Sequence, residues 1–207
     1  MNERALFNAA RYLGLKTPKA RQENRALLED AYERMRQAAQ PRRLLRRFEA
    51  RLTDGALVID GLPPLPSQSL RRIFTGAPQG LALLATLGAP VDFLIRRLMV
   101  SEPAMGAAVG ACASAYVDEY IDGFLAQEAA ALRAQGLRLR PRFSPGYGDV
   151  PLSVQRPLLE WLDARRIGVT LTQGFLMLPE KSVSALAPIA SGAEGKEGAP
   201  CRIGDGG

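Results

Sequence analysis

The residues best suited to bind a ligand lie together at positions 142–149, Arg-Phe-Ser-Pro-Gly-Tyr-Gly-Asp. A proline and two glycines fix a tight turn here. Gly146 and Gly148 carry no Cβ, so a ligand can approach the backbone closely. Arg142 brings a planar guanidinium that can clamp a carboxylate with two parallel hydrogen bonds. Tyr147 can stack on a ring or offer its hydroxyl. The same text also fits a plain strand-to-helix turn whose tyrosine packs on the core. Residue types alone do not decide between the two.

Two further segments carry reactive groups. Asp118, Glu119 and Asp122 fall within five residues of one helical stretch. Asp118 and Asp122 are four apart, so they share a helix face and repel each other. A cation nearby would relieve that repulsion, and an ammonium or sulfonium qualifies; a solvated helix face is the plainer explanation. Residues 171–184, Leu-Thr-Gln-Gly-Phe-Leu-Met-Leu-Pro-Glu-Lys-Ser-Val-Ser, combine hydroxyls with Lys181. They suit polar contacts to a ligand, and equally an edge loop between two strands.

Several chemistries are excluded. None of the 207 residues is a histidine, which rules out Ser-His-Asp and Cys-His nucleophiles and histidine-based zinc sites. Acid–base work would fall to carboxylates, lysine or tyrosine. The two cysteines are too few for a disulfide framework. Cys112 reads as a small core residue in an Ala-rich helix, and Cys201 as an exposed residue of the tail. There is no Gly-rich phosphate loop of the dinucleotide or P-loop kind. No residue is assigned to catalysis and none to a metal.

The composition, 47% hydrophobic and 23% charged, is that of a globular protein. No apolar run is long enough for a bilayer, and the N-terminus lacks a secretion signal; the expectation is a cytoplasmic protein with no membrane partner. The net charge of +6 is local. Residues 1–50 hold twelve of the 27 Lys and Arg but six of the 21 Asp and Glu, so the rest of the chain is neutral. Such a basic quarter can steer an acidic partner or nucleic acid, or be a solvated helix face. No RNA-binding or zinc-finger spacing accompanies the arginines, which argues against nucleic acid.

The elements that must position these groups follow from periodicity and punctuation. A helix spans 3–13 and stops at Gly14. Thr17-Pro18 caps a second helix to about Gln40, with Leu27, Leu28, Tyr32 and Met35 on one face. Residues 44–53 and 56–59 form a hairpin around Asp54-Gly55. Residues 62–66 connect it to a short helix capped by Ser67 and running to Ile73. A buried strand covers 80–86, and helices follow over 90–99 and 103–134. Leu137–Arg140 alternates like a strand, 143–149 is a loop and 152–164 a helix. Strands at 169–172 and 183–189 are joined through Phe175–Pro179, and the tail from 191 is Gly- and Ala-rich and disordered. Strands and helices do not alternate regularly, so the class is α+β: one domain, with an N-terminal helical segment over 1–40, a core over 41–190 and an antiparallel-rich sheet.

Taken together, these segments resemble the activation domain at the C-terminus of vitamin B12-dependent methionine synthase. The resemblance rests on Arg142-x-x-Pro-Gly-Tyr147 and on Leu-Thr-x-x-Phe-x-Met-x-Pro-x-x-Ser-Val-Ser over Leu171–Ser184, in that order. Arg11-Tyr12-Leu13-Gly14, Ala85–Asp92 and the acidic helix around Asp118 are similar to stand-alone relatives, and the likeness covers about residues 8–190. It implies an activation module acting in trans: it binds S-adenosylmethionine and presents its methyl for reductive remethylation of cob(II)alamin. The cobalamin is carried by a partner methionine synthase that lacks its own activation domain, and a flavodoxin-type donor supplies the electron. The chain is then a component of a methyltransferase and not a complete enzyme. The resemblance places the ligand on Arg142 (carboxylate), Ser144, Gly146 and Tyr147 (loop), and Asp118 (ammonium), with Glu119 as the other choice. After Ser184 the family carries an aromatic segment with a ligand-contacting tyrosine, whereas this chain has Ala185-Leu186-Ala187. That departure leaves a second reading: a non-catalytic interaction or scaffold protein of the same fold that has lost the ligand.

Overall fold

The computed structural model describes residues 3–192. Most of the tail from residue 191, and Cys201 with it, lies outside the described residues. Helix α1 (Glu3–Tyr12) buries Ala5, Leu6, Ala9 and Ala10 along one face and stops at Gly14, where φ is +80°. The next helical stretch is interrupted. Thr17 Oγ1 accepts from the Ala20 amide at 3.1 Å and opens α2 (Pro18–Glu23), but the chain breaks at Asn24 before α3 (Arg25–Ala38). The Asn24 side chain and its own backbone N–H both donate to the Ala20 carbonyl, at 2.8 and 3.2 Å. This local competition for one acceptor ends the turn, and so the single helix expected over 18–40 becomes two. Leu28, Ala31 and Met35 of α3 are fully buried, while Leu27 is half-exposed.

Strand β1 (Arg42–Leu52) returns through Asp54-Gly55 as β2 (Ala56–Ile59), with Leu52 opposite Leu57 and Ala50 opposite Ile59. The expected connector contains a further short strand, β3 (Leu65–Pro66), antiparallel to β2. Ser67 caps α4 (Gln68–Phe74) by accepting from the Leu70 amide. Buried β4 (Gln79–Thr86), α5 (Ala89–Ser101) and the 31-residue α6 (Pro103–Arg133) follow, then β5 (Leu137–Leu139). The helix expected over 152–164 is shorter: α7 (Gln155–Trp161) stands between two 3-10 turns, the second entered through Asp163 at φ +56°. Thr170–Leu171 (β6) pairs with Met177–Leu178 (β7) in a ribbon of its own, and β8 (Ser182–Ser191) begins only after Pro179. Proline has no amide hydrogen with which to continue the ladder.

The main sheet has the order β3-β2-β1-β4-β8-β5. The chain is α+β with antiparallel pairing of β1 with β2, β2 with β3 and β5 with β8. Its contacts gather into two compact units. One is Met1–Leu44, Leu84–Phe124 and Asp163–Val183; the other is Leu45–Leu83, Leu125–Leu162 and Ser184–Gly207. In the first unit α3 packs on α6. Tyr32 and Tyr116 meet edge to face at 6.0 Å, and the buried Cys112 thiol points at the Leu28 carbonyl, its pKa pushed up to about 12 by burial. In the second unit Phe48, Phe74 and Trp161 form an aromatic cluster, with Phe48 centroids 5.9 and 6.1 Å from the other two. Leu81, Leu132 and Ile189 form a neighbouring apolar group.

Gly80 makes the aromatic cluster possible, because a Cβ there would lie 2.3 Å from Phe48 Cζ. Phe48 is 8% exposed and hemmed in by Phe74 and Trp161, so it cannot swing away. Gly80→Ala should therefore destabilise the protein by about 1–3 kcal/mol in urea unfolding, the range of an overpacked core. In a Phe48→Leu background the same change should cost much less. Equal costs in both backgrounds would show that the ring does not enforce the glycine.

Candidate functional site

The segment 140–149 is fastened at both ends. Pairing with β8 continues beyond β5: the Arg140 amide donates to the Pro188 carbonyl, and Phe143 exchanges two backbone bonds with Leu186, at 2.8 and 2.9 Å. The Arg140 guanidinium donates to the Ile73 and Thr75 carbonyls at 3.0 and 2.7 Å and so caps the end of α4. Arg142 and Ser144 are half-buried, and Pro145 is buried. Gly146 (φ +91°) and Gly148 (φ +57°) turn the chain, with the Gly146 amide on the Val150 carbonyl at 2.9 Å. Gly148 also admits a close neighbour, since a Cβ there would sit 2.7 Å from Ser69 Oγ. Tyr147 is 51% exposed. A tyrosine packed on the core is thus not what the turn contains; its ring is presented outward.

The loop's last residue locks it. Asp149 Oδ1 accepts from Ser67 Oγ at 2.6 Å and from the Ser69 amide at 3.1 Å, and Oδ2 accepts from the Gln68 amide at 2.6 Å. Arg142, Ser144, Gly146 and Tyr147 are therefore brought together on one rigid turn of the second unit.

Asp118 belongs to the first unit, on α6. It accepts from the Tyr12 hydroxyl at 2.6 Å, and Asp122 pairs with Arg4 at 3.3 Å. Helix α1 thus supplies the cation that the spacing of these carboxylates calls for. Glu119 faces Tyr32, whose hydroxyl pKa is raised by burial and then by that carboxylate. Tyr12 is the residue that sequence reasoning left without a role on this face, and its one signal was its place in the Arg11-Tyr12-Leu13-Gly14 stretch.

The polar segment 171–184 is used internally. Thr172 Oγ1 accepts from the Leu176 amide at 3.1 Å, closing the β6–β7 tip around Phe175 at φ +63°. Ser182 Oγ lies 2.8 Å from Thr86 Oγ1 and 2.6 Å from the Pro179 carbonyl. Ser184 donates to Gln155 at 3.3 Å, both buried. Lys181 Nζ donates to Ser114 Oγ at 3.0 Å; burial lowers its pKa, and the Asp92 and Glu180 carboxylates oppose that shift. Asp92, 4% exposed, accepts from the Glu180 amide at 2.6 Å, and its Oδ1 is buried with no hydrogen-bond partner among the described residues. The lysine charge beside it offsets part of that desolvation.

Among the described residues, no group of three or more His, Cys, Asp or Glu is placed to hold a metal ion, and no helix is long and apolar enough to cross a membrane.

The bonds to Asp149, the Ser67 hydroxyl first, hold its carboxyl well below the usual carboxylate range. A depressed acid stabilises the fold above its unfolded pKa, about 3.9, and loses that contribution as pH falls toward the folded value. Asp149→Asn should thus be less stable than the parent at neutral pH, with the gap closing below about pH 4. Urea midpoints across the acid range check this, and a gap that is constant or grows on acidification contradicts it.

Neither a family model nor a curated protein matches the chain. Among solved structures it is similar to the crystal structure of the MetH reactivation domain bound to AdoHcy. The two are 18% identical, the match covers 89% of this chain and 70% of that one, and the TM-score is 0.62. Likeness at that identity is likeness of fold, and it agrees with the fold implied by the motifs at Arg142–Tyr147 and Leu171–Ser184. The chain has the α+β fold of the MetH reactivation domain.

Proposed function

We propose that this chain is an S-adenosylmethionine-binding reactivation module that acts in trans on a corrinoid-bearing methionine synthase. The observation that carries the reading is the turn Arg142–Tyr147. It is locked by Asp149, with an outward tyrosine, in a chain whose fold is that of a domain solved with AdoHcy bound. S-adenosylmethionine presents a carboxylate, an ammonium and a purine around its sulfonium. Arg142 would clamp the carboxylate, the Ser144–Tyr147 backbone would cradle the remainder, and the Tyr147 ring would stack on it. The resemblance gives the ammonium to Asp118. The partner's cobalamin supplies the metal that accepts the methyl, and a flavodoxin-type donor supplies the electron; this chain binds and orients the methyl donor.

One observation favours a second reading. Ala185, Leu186 and Ala187 are all buried in β8, so the stretch where the family carries an aromatic ligand contact here fills the core. A scaffold protein of the same fold that no longer binds the ligand would look like this.

Calorimetric titration separates the two. The wild-type chain should bind S-adenosylmethionine, and Arg142→Ala should weaken binding by about ten- to a hundred-fold, the loss of a charge-assisted pair worth roughly 1.5–3 kcal/mol. Asp118→Asn should also weaken it while leaving the ligand-free melting point near that of wild type; if Glu119→Gln does so instead, the ammonium belongs to Glu119. A folded chain that takes up no ligand leaves the scaffold reading.

The trans role has its own test. Oxidised partner synthase, a one-electron reductant and S-adenosylmethionine are combined with and without this chain, and the methylated cofactor is followed by absorbance. It should return only with the chain present. Return at the same rate without it rejects the reactivation role.

A further inference from the structure

The chain's positive charge is concentrated in its first fifty residues, and the structure shows which part of it is at liberty. Four of those arginines sit on β1, and three of them already have partners. Arg43 stacks on Phe124 at 5.0 Å. Arg46 stacks on Trp161 at 3.9 Å and donates to its carbonyl at 2.8 Å. Arg47 donates to Gln79 and Gln135 at 3.2 and 3.4 Å. Arg46 and Arg47 are tied to the fold by hydrogen bonds, and Arg43 covers a ring that is only 2% exposed.

The helices before β1 differ. From Glu3 to Arg25 there are six Lys and Arg against two Glu. Both glutamates are occupied, Glu3 by Arg25 at 2.7 Å and Glu23 by Lys19 at 3.9 Å, and Arg4 is spent on Asp122. Among the described residues, Arg11, Lys16 and Arg21 pair with no carboxylate. Within this basic surface lies a recess of about 200 Å³ formed by α1, α2 and the start of α3. Leu6, Phe7 and Pro18 make its apolar wall; Arg21 and Gln22 lie on its rim, with Glu3 and Arg25 beside them neutralising each other at 2.7 Å. Phe7 is 47% exposed there, and the Arg21 guanidinium lies 5.0 Å from its ring centroid.

We infer that this recess is a docking site for an acidic segment of a partner protein that inserts one bulky apolar side chain against Phe7. The recess has room for such a side chain. Phe7 supplies the aromatic anchor surface that contributes most where an interface excludes water. Arg21 stands at the lip to meet a flanking carboxylate, while Lys16 and Arg11 extend the field that steers it in. Charge complementarity selects this occupant: Arg11, Lys16 and Arg21 leave the surface around the recess positive, and an acidic segment balances it. The inference does not depend on S-adenosylmethionine binding.

The test is a fluorescence-anisotropy titration of the full chain with a labelled synthetic peptide in which Glu and Asp flank a central Leu. The control peptide carries Ser in place of that Leu. The Leu peptide should bind, and added salt should weaken it. Arg21→Glu and Phe7→Ala should each weaken it at least about tenfold, as should the Ser peptide. Melting curves establish that the variants fold; should Phe7→Ala loosen α1, Arg21→Glu still decides. Arg21→Glu should leave S-adenosylmethionine affinity unchanged, which keeps this result apart from that of the ligand site. The inference is overturned by absence of binding, by equal affinity for the Leu and Ser peptides, by indifference to both substitutions, or by tighter binding of duplex DNA or anionic vesicles than of the peptide.

Discussion

Two neighbouring strands of the main sheet are buried almost end to end, and most of the fold answers to that. Every residue from Gly80 to Leu87 is buried, and so is every residue of β8 from Ser184 to Ala190. A strand covered on both faces has no solvent side on which to put bulk or charge. The response is small side chains: Gly80, Ala82 and Ala85 on β4, Ala185, Ala187 and Ala190 on β8. Where polar groups do enter, they must find partners inside, because an unpaired buried hydroxyl costs about 1–3 kcal/mol. Thr86 with Ser182, and Ser184 with Gln155, are those pairings. What looks in the sequence like a ligand-binding run of hydroxyls is largely the internal satisfaction of a buried strand.

The same constraint shapes the turn at Arg142–Asp149. Its start is held by backbone exchange between Phe143 and Leu186 of β8. Its end is held by Asp149, which takes three donors from residues 67–69. A loop of five residues, Ser144 to Gly148, between two such anchors keeps its shape without a ligand, and preorganisation of that kind lowers the entropic cost of binding. The two glycines therefore have a double reason. Both adopt positive φ, and Gly148 also lets Ser69 approach closer than any Cβ would allow.

Much of the architecture was legible because its signals are local. Gly14, Thr17-Pro18, Asp54-Gly55 and Ser67 each act through the backbone within a few residues, and each terminates or opens the element expected of it. The misreadings arose where a local bond contested a longer pattern. Asn24 captures the Ala20 carbonyl and splits a helix whose apolar spacing runs straight through it. Met177–Leu178, expected as part of a connection between strands, instead pairs back on Thr170–Leu171 as β7. The candidate site was legible as a string, Arg142 to Tyr147, but its rigidity was not. That depends on Asp149 reaching residues some eighty positions earlier in the chain.

Charge was the least legible property, since composition gives its amount and only packing gives its use. The cluster Arg42, Arg43, Arg46 and Arg47 is the densest run of positive charge in the text. Yet a guanidinium is planar and weakly hydrated, and so it serves well as a cover for aromatic rings. On β1 it does so, over Phe124 and Trp161, and a strand that reads as basic becomes part of two hydrophobic contacts. The acidic run on α6 shows the converse. Asp118 and Asp122 lie four residues apart, and the repulsion built into that spacing is relieved by α1, through the Tyr12 hydroxyl and the Arg4 guanidinium. Those bonds cross more than a hundred residues of sequence. A like-charged pair on one helix face therefore announces that some cation or donor is near it, and the fold alone determines that here α1 provides one.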